Sequence, residues 1–283
     1  VQYRLGGAGM LLPSLLLLSS TALAADSSFE GAAAPADETK KETEKFDIAF
    51  GGMWSAGNTD SATLSASYDG YHRWKSHQLS SKGGVVFGSA IADTDGDGRL
   101  SDEEKAAGRV ETAARKEVWL RYDRHLGEKD SFYSLAGGYS DVYAGYDSRL
   151  NAQFGYSYRF LEAQDKKGVK RGPALTGELG FDAAREDAVA SVDTVEMVYS
   201  ARALLKFACD LDDGVVVGQA VESLMNMDSP EDTRVNSETS LTAKLTEGLA
   251  LKFSYKLNYD AKPVEGYSKA DQTGLLTVVT SVF

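Results

Sequence analysis

The chain has 283 residues and a formal net charge of −12, with 42 acidic against 30 basic side chains. That balance argues against a nucleic-acid partner, which needs clustered Lys and Arg to neutralise phosphates. The single cysteine, Cys209, excludes an intramolecular disulfide and, without partners, a thiol-based redox or zinc site.

In chain order, the first feature is a targeting signal. Arg4, an apolar run centred on Leu15–Leu18 and the small-residue stretch Ala22-Leu23-Ala24 predict a secretory signal peptide over 1–24, too short to span a bilayer. Residues 25–45 are small, charged and nearly devoid of large apolar side chains, so they predict a flexible periplasmic lead. No Pro-rich or Gly/Ser-rich linker divides 46–283, and a single domain is expected there.

Within that domain the dominant signal has period two. In Leu249–Asp260 the odd positions are Leu, Leu, Phe, Tyr, Leu, Tyr and the even ones Ala, Lys, Ser, Lys, Asn, Asp. Residues 150–161 repeat the pattern, with Leu150, Ala152, Phe154, Tyr156, Tyr158 and Phe160 against Asn151, Gln153, Gly155, Ser157 and Arg159, Leu161 being the one exception. A helix would scatter both sets around its circumference, whereas a strand sends each to its own face. Similar runs begin near Phe46, Ala62, Gln78, Arg115, Ser131, Gly172, Val195, Val215, Arg234 and Gln272. That predicts about twelve strands of about eight to twelve residues, the span of membrane-crossing strands.

Alternation alone does not say which face is inside, because a soluble sandwich and an outer-membrane barrel share it. Three features favour the barrel. The polar face carries Glu117, Arg121, Arg159, Glu178, Glu196, Arg202, Lys206, Glu222, Lys244, Lys252 and Lys256, a mixture suited to a wet lumen laced with ion pairs. Aromatic residues sit toward strand ends on the apolar face, as with Tyr158 and Phe160 or Tyr255 and Tyr259, where an interfacial girdle would lie. The last strand ends on Phe283, the kind of terminal strand that engages barrel-assembly machinery. The expected fold is all-β, a closed antiparallel up-and-down transmembrane β-barrel of about twelve strands in the Gram-negative outer membrane, in contact with lipid and lipopolysaccharide. The alternative is a secreted or periplasmic calcium-stabilised β-sandwich with the same strands turned inside out.

Connection lengths fit the barrel. The connections at 75–77, 127–130, 164–171, 212–214 and 246–248 are mostly tight turns, and those at 90–112, 185–191, 228–232 and 261–271 are mostly longer, as periplasmic turns and outer loops are. Two are discordant: 57–60 is short for an outer loop and 164–171 long for an inner turn.

The stretches FGGMWSAGNTDSATLSASYDGYHRW and LTEGLALKFSYKLNYDAKPVEGYSKADQTGLLTVVTSVF resemble the salt-induced outer-membrane proteins, a family of unknown function, over about residues 46–283. The resemblance implies a single outer-membrane barrel, linked by name to salt response, with no known reaction or substrate.

One insertion, expected over 90–112, carries explicit chemistry. DTDGDGRLSDEE, residues 93–104, matches the twelve-residue calcium loop, with ligands from Asp93, Asp95, Asp97, the Arg99 carbonyl, Ser101 and a bidentate Glu104, and Gly98 at the turn. The loop is expected to bind Ca2+ weakly, on the order of 10⁻⁴ to 10⁻³ M, since the usual entering helix is absent and 101–114 has room for only a short exiting one. The competing reading is a solvated acidic loop. The three histidines, His72, His77 and His125, all fall at or beside inner turns, and no Gly-x-Ser-x-Gly, phosphate loop or HExxH occurs, so no enzymatic activity is expected.

Overall fold

The computed structural model describes residues 42–56, 60–96, 99–162, 164–166, 169–189, 195–212, 214–246, 248–263 and 267–281. The expected signal peptide, most of the lead, Asp97 and Phe283 lie outside these residues. Among the described residues thirteen strands form: β1 (Thr43–Ser55), β2 (Ser61–Trp74), β3 (His77–Ile91), β4 (Arg109–His125), β5 (Asp130–Asp141), β6 (Tyr146–Leu161), β7 (Gln164–Lys166), β8 (Val169–Ala188), β9 (Val195–Asp212), β10 (Val215–Asn226), β11 (Thr233–Lys244), β12 (Leu249–Asp260) and β13 (Ala270–Ser281).

Neighbours in the chain pair antiparallel, β1 pairs with β13, and β6 pairs with β8 past the three-residue β7. The sheet therefore closes on itself as an up-and-down barrel of twelve strands, and among the described residues no second sheet packs on it to form the sandwich.

Orientation follows from register and burial together. In β12, Phe253 is 49% exposed while Lys256, three residues on and so on the other face, is 7% exposed. Phe253 stands beside Leu276 of β13 and Leu241 of β11, both outward and exposed. The same holds around the ring: Phe50, Leu64, Phe87, Leu120, Phe154, Leu179, Leu205 and Leu276 form the outer wall. Exposed apolar surface on that scale far exceeds what a water-soluble monomer carries. The inner face is polar, and its buried apolar groups are small among the described residues, Val86 with Ala113 and Trp119 with Leu135. All eleven charged residues expected on the polar face lie in inward register.

The connections alternate between the two ends as expected. By strand direction, the strand ends that flank 75–76, 126–129, 162–168, 213–214 and 245–248 share one end, and those that flank 56–60, 92–108, 142–145, 189–194, 227–232 and 261–269 share the other; the one at 142–145 had no counterpart among the expected connections. The long inner connection is accounted for: β7 folds back on the start of β8, pairing Gln164 with Arg171 and Lys166 with Val169, so it is a hairpin extension.

Several boundaries differ from expectation. β1 starts at Thr43, inside the expected lead, because Thr43 and Glu44 pair with Arg73 and His72 of β2. β4 starts at Arg109 because β3 offers partners as far as Ile91, which shortens the insertion to 92–108. The exiting helix, α1, is confined to Asp102–Ala107, and Gly108, at φ 88°, ends it. Five barrel strands have 12 residues, the upper end of the expected range, and seven exceed it, up to the 20 residues of β8, since those hairpins continue to pair beyond the segments where alternation is clean.

Candidate functional site

The lumen is the candidate site, and its centre is an ionic lattice. Arg121 of β4 donates to Asp123 on its own strand, with Nε to Oδ2 at 2.8 Å, and across to Glu178 of β8, with Nη2 to Oε1 at 2.7 Å. Arg202 of β9 donates through Nη1 to the same Glu178 at 2.8 Å and through Nε to Glu222 of β10 at 2.6 Å. Tyr133 of β5 accepts from Arg202 at 2.7 Å and lies under the Arg121 guanidinium, 4.3 Å from its ring centre. Arg121, Asp123 and Arg202 are almost fully shielded from water. Such groups are tolerable only because each charge meets an opposite one with hydrogen-bonding geometry. Asp182 is held alongside by Asn151 and Gln153, at 3.0 and 2.9 Å.

The wall facing this lattice is different. The inward residues of β2 include Ser65, Ser67 and Asp69, and Ser67 and Asp69 are solvent-exposed although their register points them into the barrel. The inward Lys252 of β12 is also partly exposed, its ammonium 3.2 Å from Glu238. Water therefore reaches the lumen along this side. Above that level Leu275 of β13 packs against Val86 and Ala113, an apolar contact that narrows the passage.

At the loop end a cavity of about 80 Å³ opens between the walls. Arg115 stacks on Tyr139, 4.2 Å from the ring centre, and pairs with Asp141 and Glu117 at 3.3 and 3.1 Å. Arg149 and Arg234 converge on Glu186, and Arg234 Nε donates to Asp260 at 2.9 Å. Tyr267, in the connection between β12 and β13, donates its hydroxyl across the mouth to the Val142 carbonyl at 3.2 Å. Lys262 ties the same connection to Glu231 at 2.9 Å, and that hydrogen bond is the main reason the exposed Glu231 carboxyl titrates down at about 2.

The acidic insertion lies beside this mouth. The carboxylates of Asp93, Asp95 and Glu104 all come within 4.8 Å of one another, and Asp93 Oδ1 accepts from the Gly96 N–H at 2.7 Å. Glu104 is the third residue of α1, and with Ser101 it forms a capping box: Ser101 N–H donates to Oε2 at 2.9 Å, and Ser101 Oγ accepts from the Glu104 N–H at 3.2 Å. Its other oxygen accepts from Thr94 N–H and Oγ1 at 2.6 and 2.9 Å. The Ser101 N–H, followed by that of Thr94, lowers the Glu104 carboxyl to about 2. Of the six expected ligand positions, three carboxylates meet, the Ser101 hydroxyl serves the helix cap, Arg99 is exposed, and Asp97 lies outside the described residues.

Sequence reasoning missed Tyr133, Asp123, Asp182, Arg149, Glu186 and Arg234 as members of the lumen lattice. Most sit in inward register on alternating strands and were there to be counted. Tyr133 was not legible, because SFYSLAGG mixes small and large residues on both faces and shows no clear polar one. His72 and His77 flank the turn at 75–76 on the outer wall, His77 hydrogen-bonded to Tyr122 at 2.6 Å, and His125 ends β4 facing inward.

A family model described as a protein of unknown function, DUF481, matches residues 48–282. The uncharacterised protein YdiY of Escherichia coli (strain K12) is 26% identical over 257 residues, covering 90% of this chain and 89% of its own. Among solved structures, the NanC porin is similar at TM-score 0.46 and 9% identity, over 83% of this chain and 98% of that one. An outer membrane channel from Pseudomonas putida F1 is similar at TM-score 0.42 and 12% identity, over 84% of this chain and 95% of that one.

Proposed function

The chain belongs to the family of proteins of unknown function DUF481, and we propose that it is an outer-membrane barrel passing only small polar solutes along one side of its lumen. The observation that carries this reading is the division of the inner wall: inward-pointing Ser67 and Asp69 are wetted, while the ionic lattice occupies the facing side. The apolar outer wall favours lipid around the barrel, with lipopolysaccharide at the loop end and the barrel-assembly machinery acting on the terminal strand. Purified barrel in planar bilayers should give small conductance steps, and Leu275→Ala, which removes the apolar contact to Val86, should enlarge them. Silence from both forms would leave a purely structural barrel, the reading that the filled lattice favours.

The finer reading includes calcium at Asp93, Asp95 and Glu104, whose carboxylates converge, with Asp97, Ser101 and the Arg99 carbonyl completing the set. Three carboxylates gathered this closely repel one another unless a cation sits among them. Calcium titration should release or absorb heat with a Kd on the order of 10⁻⁴ to 10⁻³ M, and Asp95→Asn should weaken binding about tenfold or more. No heat, and no change in proteolysis of the loop, would count against the site. A salt-linked role, implied by the resemblance, is tested by barrel abundance in cells grown at raised NaCl; constant abundance would oppose it.

A further inference from the structure

We infer that the cavity at the loop end is a binding site for a neutral sugar, taken up from outside the cell. The inference rests on the outer-membrane reading for its access to external solutes and does not require conduction. Barrel mouths are a recurrent place for small-molecule sites, and about 80 Å³ is several times the roughly 10–15 Å³ that one water needs.

The walls define the ligand by elimination. Arg115 is paired with Asp141 and Glu117, and Arg149 and Arg234 share Glu186, so the guanidinium charges are already met. Lys269 and Asp271 add one charge of each sign to the lining. With their partners, four basic groups (Arg115, Arg149, Arg234 and Lys269) stand against five acidic ones (Asp141, Glu117, Glu186, Asp260 and Asp271), a near balance in which neither an anion nor a cation finds a strong field in its favour. A purely apolar ligand fares worse, because it would cover the Asn236, Asn258 and Asp271 side chains that line the cavity without satisfying them.

A polyhydroxylated ring meets all of these groups. Each hydroxyl both donates and accepts, so it can take N–H groups from asparagine and arginine and give O–H groups to carboxylates. The ring's apolar C–H face matches the aromatic surface of Tyr267, while Arg115 already covers Tyr139. Two polar atoms of the lining residues, Arg115 Nε and Asn258 Oδ1, are buried without a hydrogen-bond partner, groups for which hydroxyls are the fitting partners. Tyr267, hydrogen-bonded across the mouth to Val142 at 3.2 Å, closes the site over such a ring.

The test uses the full-chain barrel in detergent, titrated with a panel of neutral hexoses and disaccharides, with glucuronate and with glycine, and read by saturation-transfer NMR. At least one neutral sugar should bind, with glucuronate and glycine weaker. Tyr267→Ala and Asp271→Asn should each weaken it about tenfold, while both variants keep the heat-dependent gel migration of a folded barrel. The inference is overturned if no neutral sugar binds, if glucuronate or glycine binds more tightly, or if neither folded variant changes the affinity. Conductance of the same preparation separates the two readings. Current without sugar binding overturns only the site, and sugar binding without current overturns only the pore.

Discussion

Glu178 shows how a single residue can hold the lumen together. It accepts from Arg121 at 2.7 Å and Arg202 at 2.8 Å and so joins β4 to β9 through the interior. Removing one member of a buried pair costs about 3–5 kcal/mol because the other charge is stranded, which makes the lattice a single unit and not a set of separable bridges. Glu104 does the same locally for the acidic insertion. Its carboxyl is held at about 2, against an ordinary 4.5, by N–H groups that bind the charged form. The sign follows directly: the folded value is the lower one, so this stabilisation is complete above pH 4.5 and fades as pH falls toward 2. Carbon-13 NMR of the Glu104 carboxyl should show a midpoint near pH 2, and a midpoint near 4.5 would mean that the cap does not form in solution.

At the scale of elements, the barrel's seam is its thinnest joint. β1 and β13 pair over five described positions, Asp47 to Gly51 against Thr277 to Ser281, whereas β1 pairs with β2 over thirteen. Gly51 sits in that seam. A Cβ added there would lie 2.5 Å from Ser65 Oγ and 3.1 Å from the Leu276 carbonyl, and the second of these is backbone that cannot rotate away. Gly51→Val should therefore destabilise the barrel by about 1–3 kcal/mol, measured by urea unfolding in lipid vesicles. Gly248, which has no atoms within 4 Å of its Cβ direction, is the control site where a side chain should cost little.

For the whole molecule, the decisive property is that its apolar surface faces outward. Phe253 stands on that surface and Ser254, the next residue, faces the lumen and is buried. Phe253→Arg should cost about 2–4 kcal/mol in a bilayer if the site lies near the midplane, whereas a water-exposed phenylalanine on a soluble protein would tolerate the change within about 0.5 kcal/mol. Unfolding measurements in lipid vesicles decide between these values. The same geometry governs conduction: wetted Ser67 and Asp69 on one wall, Arg121 and Arg202 on the other, and the Leu275–Val86 contact between.

Strand identity, the two faces and the ends of the connections that were recognised were legible in the sequence, because a side-chain period of two is a property of the backbone and needs no distant partner; the short connection at 142–145 was not among them. The acidic insertion stood out in the sequence as well, since the spacing of its carboxylates is local, and Asp93, Asp95 and Glu104 do come together. What only the tertiary structure decided was everything that depends on which strands meet: closure of β1 on β13, the pairing of Arg121 with Glu178 from residues 57 positions apart, and the Tyr267 strap reaching Val142 across 125 positions. Alternation assigns a residue to a face but says nothing of its neighbour across the lumen, and a charge on the inner face becomes a plug or a channel lining only once that neighbour is known.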